Sequence, residues 1–107
     1  MRVVEITVDE RKAQLDRGEN VFILDVRNPE EFQICRINGS RLIPFSELPR
    51  RLGELDRDRE MVVHCKGGIR SLKATRLLRE NGFRTAKSLK GGILTWAERI
   101  DPSVPKY

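Results

Sequence analysis

Met61-Val62-Val63-His64-Cys65-Lys66-Gly67-Gly68-Ile69-Arg70-Ser71 runs from an apolar stretch into a helix-forming segment, with a cysteine at the junction. Four apolar or half-apolar residues read as a buried strand, and Ile69 onward reads as a helix. A thiol placed there faces the free N–H groups of a helix N-terminus and its partial positive charge. Such a nest favours an anion, and a thiolate is an anion. Gly67 and Gly68 let the turn curl tightly and reach positive φ. Arg70 adds a planar fork of donors suited to an oxyanion. The plainer alternative is a structural cysteine at an ordinary turn. The grouping of Cys65, two glycines and Arg70 within six residues argues for a nucleophile instead.

Outward from this junction, strand and helix signals alternate. Val3 to Ile6 reads as a short strand, and Thr7 or Asp9 caps a helix ending near Arg17 before Gly18. Val21 to Val26 is a mostly apolar run that suits a strand covered on both faces. Pro29 opens a short helix through Gln33, Leu42-Ile43 is a brief strand, and Ser46 starts a helix toward Leu52. After Cys65, Ser71, Ala74, Leu77 and Leu78 share one helix face, while Lys73, Arg76, Arg79 and Glu80 share the other. Asn81-Gly82 ends that helix, Ala86 to Leu89 forms a last strand, and Gly91-Gly92 leads into a helix through Ile100. The alternation predicts an α/β fold with a mainly parallel central sheet and helices on both faces, residues 1–107 forming a single domain. In such sheets ligands sit beyond the carboxyl ends of the strands, where Cys65 lies.

The spacing Cys65-x-x-x-x-Arg70 resembles the active-site loop of the rhodanese family, sulfurtransferases that carry sulfur as a cysteine persulfide. The related dual-specificity phosphatases have one more residue in the loop, and Lys66 with Arg70 makes this loop similar to the thiosulfate-type branch. The resemblance continues in Ile23-Leu24-Asp25-Val26-Arg27 with Pro29-Glu30-Glu31-Phe32, in Ile37-Asn38-Gly39-Ser40 with Leu42-Ile43-Pro44, and in Leu89-x-Gly91-Gly92-x-x-x-Trp96. Cys35-Arg36 departs from the family's usual Gly-His. That variant and the Asp101–Tyr107 tail resemble rhodanese domains fused to molybdopterin-synthase adenylyltransferases, which serve small sulfur-carrier proteins. The resemblance implies a rhodanese-like fold, Cys65 as catalytic thiol, and a substrate-binding loop of Lys66, Gly67, Gly68, Ile69, Arg70 and Ser71. It implies thiosulfate or a persulfide donor such as a cysteine desulfurase, and a thiol, cyanide or ubiquitin-like sulfur carrier as acceptor. It implies no cofactor. A non-catalytic binding or redox-sensing module is the alternative, and a cysteine-dependent phosphatase or arsenate reductase a more distant one.

Composition bounds the rest. The chain has 107 residues, 35% of them charged, with a net charge of +5. Six aromatic residues, none interleaved with basic ones, do not make a nucleic-acid reader. The basic surface suits anionic substrates or an acidic protein partner. No apolar run approaches the ~18 residues of a membrane span, and no signal-peptide pattern opens the chain. Two cysteines and a nucleophilic thiol fit a reducing compartment, so the expected location is cytoplasmic. One histidine and two separated cysteines have no metal-ligand spacing. His64 is read as structural, hydrogen-bonded on the sheet face away from Cys65. Cys35 reads as a small buried group, Asp25, Arg27 and Glu31 as an ion-paired frame, and Trp96 as a core or rim anchor.

Overall fold

In a computed structural model, which describes residues 4–107, the strand before the cysteine is the centre of the molecule. All four residues of Met61–His64 (β4) are buried. Five parallel strands lie in the order β1-β5-β4-β2-β3, with β1 at Glu5–Ile6, β2 at Phe22–Asp25, β3 at Arg41–Leu42 and β5 at Ala86–Leu89. The Val3 end of the first expected strand lies outside the described residues.

Alternation along the strands sorts the interior into two cores. Leu24, Met61, Val63 and Cys65 face Leu48, Leu55, Ala74, Leu78 and Phe83 on one side of the sheet. Ile23, Val62 and Leu89 face Val8, Ile93, Trp96 and Ala97 on the other. The first core is covered by α3 (Ile69–Glu80) and two short 3₁₀ helices, and the second by α1 (Val8–Asp16) and α4 (Gly92–Arg99). Both faces of β2 are therefore buried, as its apolar run predicts. Trp96 is a core residue. Among the described residues, no helix is long and apolar enough to cross a membrane.

Local chemistry explains the boundaries. Thr7 is the cap of α1: its Oγ1 accepts the Glu10 N–H at 3.1 Å, and Glu10 Oε1 accepts the Thr7 N–H at 2.8 Å. In α2 (Pro29–Ile34), Glu31 Oε1 likewise accepts the Asn28 N–H at 3.0 Å. The helix expected from Ser46 toward Leu52 is instead two 3₁₀ segments, Phe45–Arg50 and Leu52–Glu54. Pro49 has no N–H to donate back to Phe45, so an α-helical ladder is interrupted there. Arg79, expected on the solvent side of α3, is half-buried and donates from Nε to the Ala86 carbonyl at 2.7 Å.

Candidate active site

Cys65 is the first residue beyond β4, and its side chain is almost wholly buried, at 1% exposure. Its Sγ accepts the N–H of Gly68 at 3.1 Å and of Ser71 at 3.4 Å. The Ser71 hydroxyl lies 3.4 Å from the same sulfur and 2.8 Å from the hydroxyl of Ser88 on β5. Gly68 caps α3 with φ +110°, a conformation open to glycine and strained for other residues. The expected nest is thus present, and two of its N–H groups point at sulfur.

The opposite side of the loop is held by a second helix start. Ile93 N–H donates to the Cys65 carbonyl at 2.9 Å, and Leu94 N–H to the Lys66 carbonyl at 3.2 Å. These are among the free donors of the first turn of α4. Gly92 makes the approach possible: a Cβ there would lie 2.3 Å from the Lys66 oxygen and 2.7 Å from the Cys65 oxygen. With the carbonyls of residues 65 and 66 drawn toward α4, the N–H groups of Gly68 and Ser71 are presented to the thiol. Sequence reasoning located Gly91-Gly92 as a helix start and missed this support of the cysteine loop.

Arg70 does not stand free at the mouth. Its two terminal nitrogens donate to Glu31 of α2, Nη1 to Oε1 at 2.7 Å and Nη2 to Oε2 at 3.0 Å. The pairing holds the Glu31 carboxyl at about 2, through the Arg70 bonds first and the Asn28 N–H and Tyr107 hydroxyl as well, against the opposing effect of burial. Tyr107 accepts from Arg27 Nη1 at 2.9 Å and donates its own proton to Glu31 Oε2 at 2.7 Å. The Lys66 ammonium lies over the Tyr107 ring, 4.5 Å from its centroid. Of the loop side chains, Ile69 is left 75% exposed.

Behind this network the expected ion-paired frame is in place. Arg27 is fully buried, bonded to Asp25 through Nε at 3.0 Å and Nη2 at 2.7 Å, and to the Cys35 carbonyl at 2.7 Å. Cys35 is buried at the end of α2, within the second core. His64 pairs in register with Asp25 and faces the side of the sheet opposite Cys65, as strand alternation requires. The expectation that it is hydrogen-bonded holds at one ring nitrogen, Nδ1, and not at the other. Nδ1 lies 3.4 Å from the Cys65 carbonyl, whereas Nε2 is 3.6 Å from Asp25 Oδ2 and has no hydrogen-bond partner among the described residues. Burial pushes the imidazole below its ordinary range and so keeps it neutral.

The chain that builds this thiol nest matches a known family over most of its length. The rhodanese-like domain model fits residues 7–99. This chain belongs to the rhodanese-like domain family. It is 38% identical over 104 residues to the probable adenylyltransferase/sulfurtransferase MoeZ of Mycobacterium tuberculosis, covering 95% of this chain and 26% of that protein. This rhodanese-like chain therefore spans about a quarter of that relative's length. A sulfurtransferase of Allochromatium vinosum is 32% identical, with 95% of each chain covered. The crystal structure of a rhodanese-related protein from Thermoplasma volcanium superposes with a TM-score of 0.84 at 31% identity, covering 96% of this chain and 98% of that one.

Proposed function

We propose that this rhodanese-like domain is a sulfurtransferase that carries sulfane sulfur as a persulfide on Cys65. The observation that carries the reading is the buried Sγ with two peptide N–H donors and the Ser71 hydroxyl around it. Donors fixed in place before reaction stabilise charge on sulfur without reorganisation. The two relatives whose names include sulfurtransferase support the same chemistry.

In the first half-reaction the Cys65 thiolate attacks the outer sulfur of a donor. The donor's S–S bond breaks as the Cys65 S–S bond forms, and the electron pair leaves with sulfite or with a thiolate. The outer sulfur then shares the anion nest of Lys66, Gly67, Gly68, Ile69, Arg70 and Ser71. In the second half an acceptor thiolate or cyanide attacks that sulfur and Cys65 leaves as thiolate. Toward the activated C-terminus of a small sulfur-carrier protein the persulfide sulfur is itself the nucleophile, expelling the activating group to give an acyl disulfide. A thiol then cleaves that acyl disulfide, releasing the thiocarboxylate and leaving Cys65 in a disulfide with that thiol. Two half-reactions through one covalent intermediate give ping-pong kinetics. The test is intact-mass analysis after incubation with thiosulfate and, separately, cysteine persulfide. One added sulfur of ~32 Da on Cys65, absent in Cys65→Ser, is the expected result. No added mass with either donor overturns the reading.

A further inference from the structure

Every cation that the loop offers to an anionic donor is already engaged. Arg70 holds Glu31 through both terminal nitrogens, and Lys66 rests on the ring of Tyr107. The carboxylate that occupies Arg70 is itself fixed from two further directions, by the Asn28 N–H at 3.0 Å and the Tyr107 hydroxyl at 2.7 Å. An oxyanion approaching the fork must displace this anchored carboxylate or sit beside it. Glu31 stays charged at any working pH, since its carboxyl titrates at about 2. Next to the fork, Ile69 offers an exposed apolar side chain at the start of α3, where a charged sulfonate gains nothing.

Resting on the reading of Cys65 as a sulfur carrier, we propose that Glu31 is a specificity-determining residue for the sulfur donor. Its carboxylate, held on Arg70 by Tyr107 and Asn28, disfavours dianionic oxyanion donors such as thiosulfate and leaves the site to the persulfide of a thiol. The loading step is then Cys65–S⁻ + R–S–SH → Cys65–S–SH + R–S⁻. One S–S bond breaks and one forms, the persulfide proton travels with the transferred sulfur, and the electron pair leaves on the donor thiolate. With thiosulfate the same attack expels sulfite, and both reactant and product bring a dianion up to the Glu31 carboxylate.

Second-order rate constants for loading Cys65 from thiosulfate and from cysteine persulfide, measured by rapid quench and intact mass, test this in the wild type, Glu31→Gln and Tyr107→Phe. Removing one unit of charge near a dianion in a water-like dielectric is worth about three- to tenfold. The thiosulfate-to-persulfide ratio is therefore expected to rise about three- to tenfold in Glu31→Gln, and in the same direction by less in Tyr107→Phe. An unchanged or lower ratio in folded Glu31→Gln overturns the inference. If circular dichroism shows that variant unfolded, the ratio in Tyr107→Phe decides, and its failure to rise has the same force. Failure of both donors to load the wild type would sink the sulfur-carrier reading itself, a separate outcome.

Discussion

Gly92 is the residue on which the cysteine loop leans. Its φ is +63°, and the space its missing side chain leaves is filled by backbone, the carbonyls of Cys65 and Lys66. Backbone cannot swing aside as a side-chain tip can, so Gly92→Ala forces α4 and the loop apart. Strain at positive φ alone costs about 1–3 kcal/mol. We expect Gly92→Ala to lower the thermal midpoint by roughly 4–24 °C, at about 4–8 °C per kcal/mol for a domain near this size, and to slow persulfide loading at Cys65. Calorimetry and the mass assay check both; a variant as stable and as fast as wild type removes Gly92 from the support of the loop. Asp25→Asn tests the frame behind it. Arg27 is fully buried, and breaking a buried pair by removing one charge costs about 3–5 kcal/mol. A urea midpoint within error of wild type would contradict that assignment. The nest at Cys65 was legible in the sequence because the groups that meet the sulfur, the Gly68 and Ser71 N–H and the Ser71 hydroxyl, all lie within seven positions of it, whereas the support from α4 lies outside that span. Glu31 and Tyr107 were not legible as partners of Arg70 and Lys66. They are 39 and 41 residues away, and only the closed fold makes them neighbours.

The same division between local and distant governs the elements. Helix α1 announces itself through Thr7 and Glu10, whose reciprocal bonds satisfy two otherwise free donors. Removing the cap with Thr7→Ala is expected to cost ~1 kcal/mol. Thr7 touches nothing at the thiol, so sulfur loading should persist; a stability unchanged in urea titration would mean that the box is not formed in solution. Strands β2 and β4 were legible from apolar runs, and β5, with Lys87 and Ser88 inside it, from its place between Asn81-Gly82 and Gly91-Gly92. The 3₁₀ character of Phe45–Arg50 was not, because apolar spacing alone does not separate a 3₁₀ from an α path. Pro49, with no N–H to give, decides between them. Helical period alone puts Arg79 on the solvent face. Its reach to the Ala86 carbonyl depends on β5 lying alongside α3, which period does not encode.

For the whole molecule, two groups, His64 and Glu31, make stability depend on pH in the same direction. His64 is buried and neutral, with its proton affinity pushed below the ordinary 6.5 by loss of solvent, against the attraction of Asp25. As pH falls below about 6.5, the unfolded chain takes up a proton that the folded one refuses, so stability declines with falling pH. Glu31 acts lower on the scale. Its carboxyl titrates at about 2 in the fold and at an ordinary 4.5 when unfolded, and the Arg70 pair is the main cause. The stabilisation from that pair is complete above about 4.5 and is lost as pH falls toward 2. Urea midpoints measured at pH 7.5, 5.5, 4.5 and 3 should therefore fall in two stages. Other carboxylates titrate in the lower window too, so the informative quantity is the difference between variants. His64→Gln should flatten the fall between pH 7.5 and 5.5, and Glu31→Gln should flatten part of the fall below 4.5. A wild-type midpoint that is level from pH 7.5 to 5.5 would mean that His64 accepts its proton within the fold, which would bring an imidazolium against Asp25 and compete with Arg27 for that carboxylate. The Arg27 to Tyr107 to Glu31 chain begins at the same Asp25, so such a proton would also loosen the grip on Arg70, and the thiosulfate-to-persulfide ratio would then rise in acid.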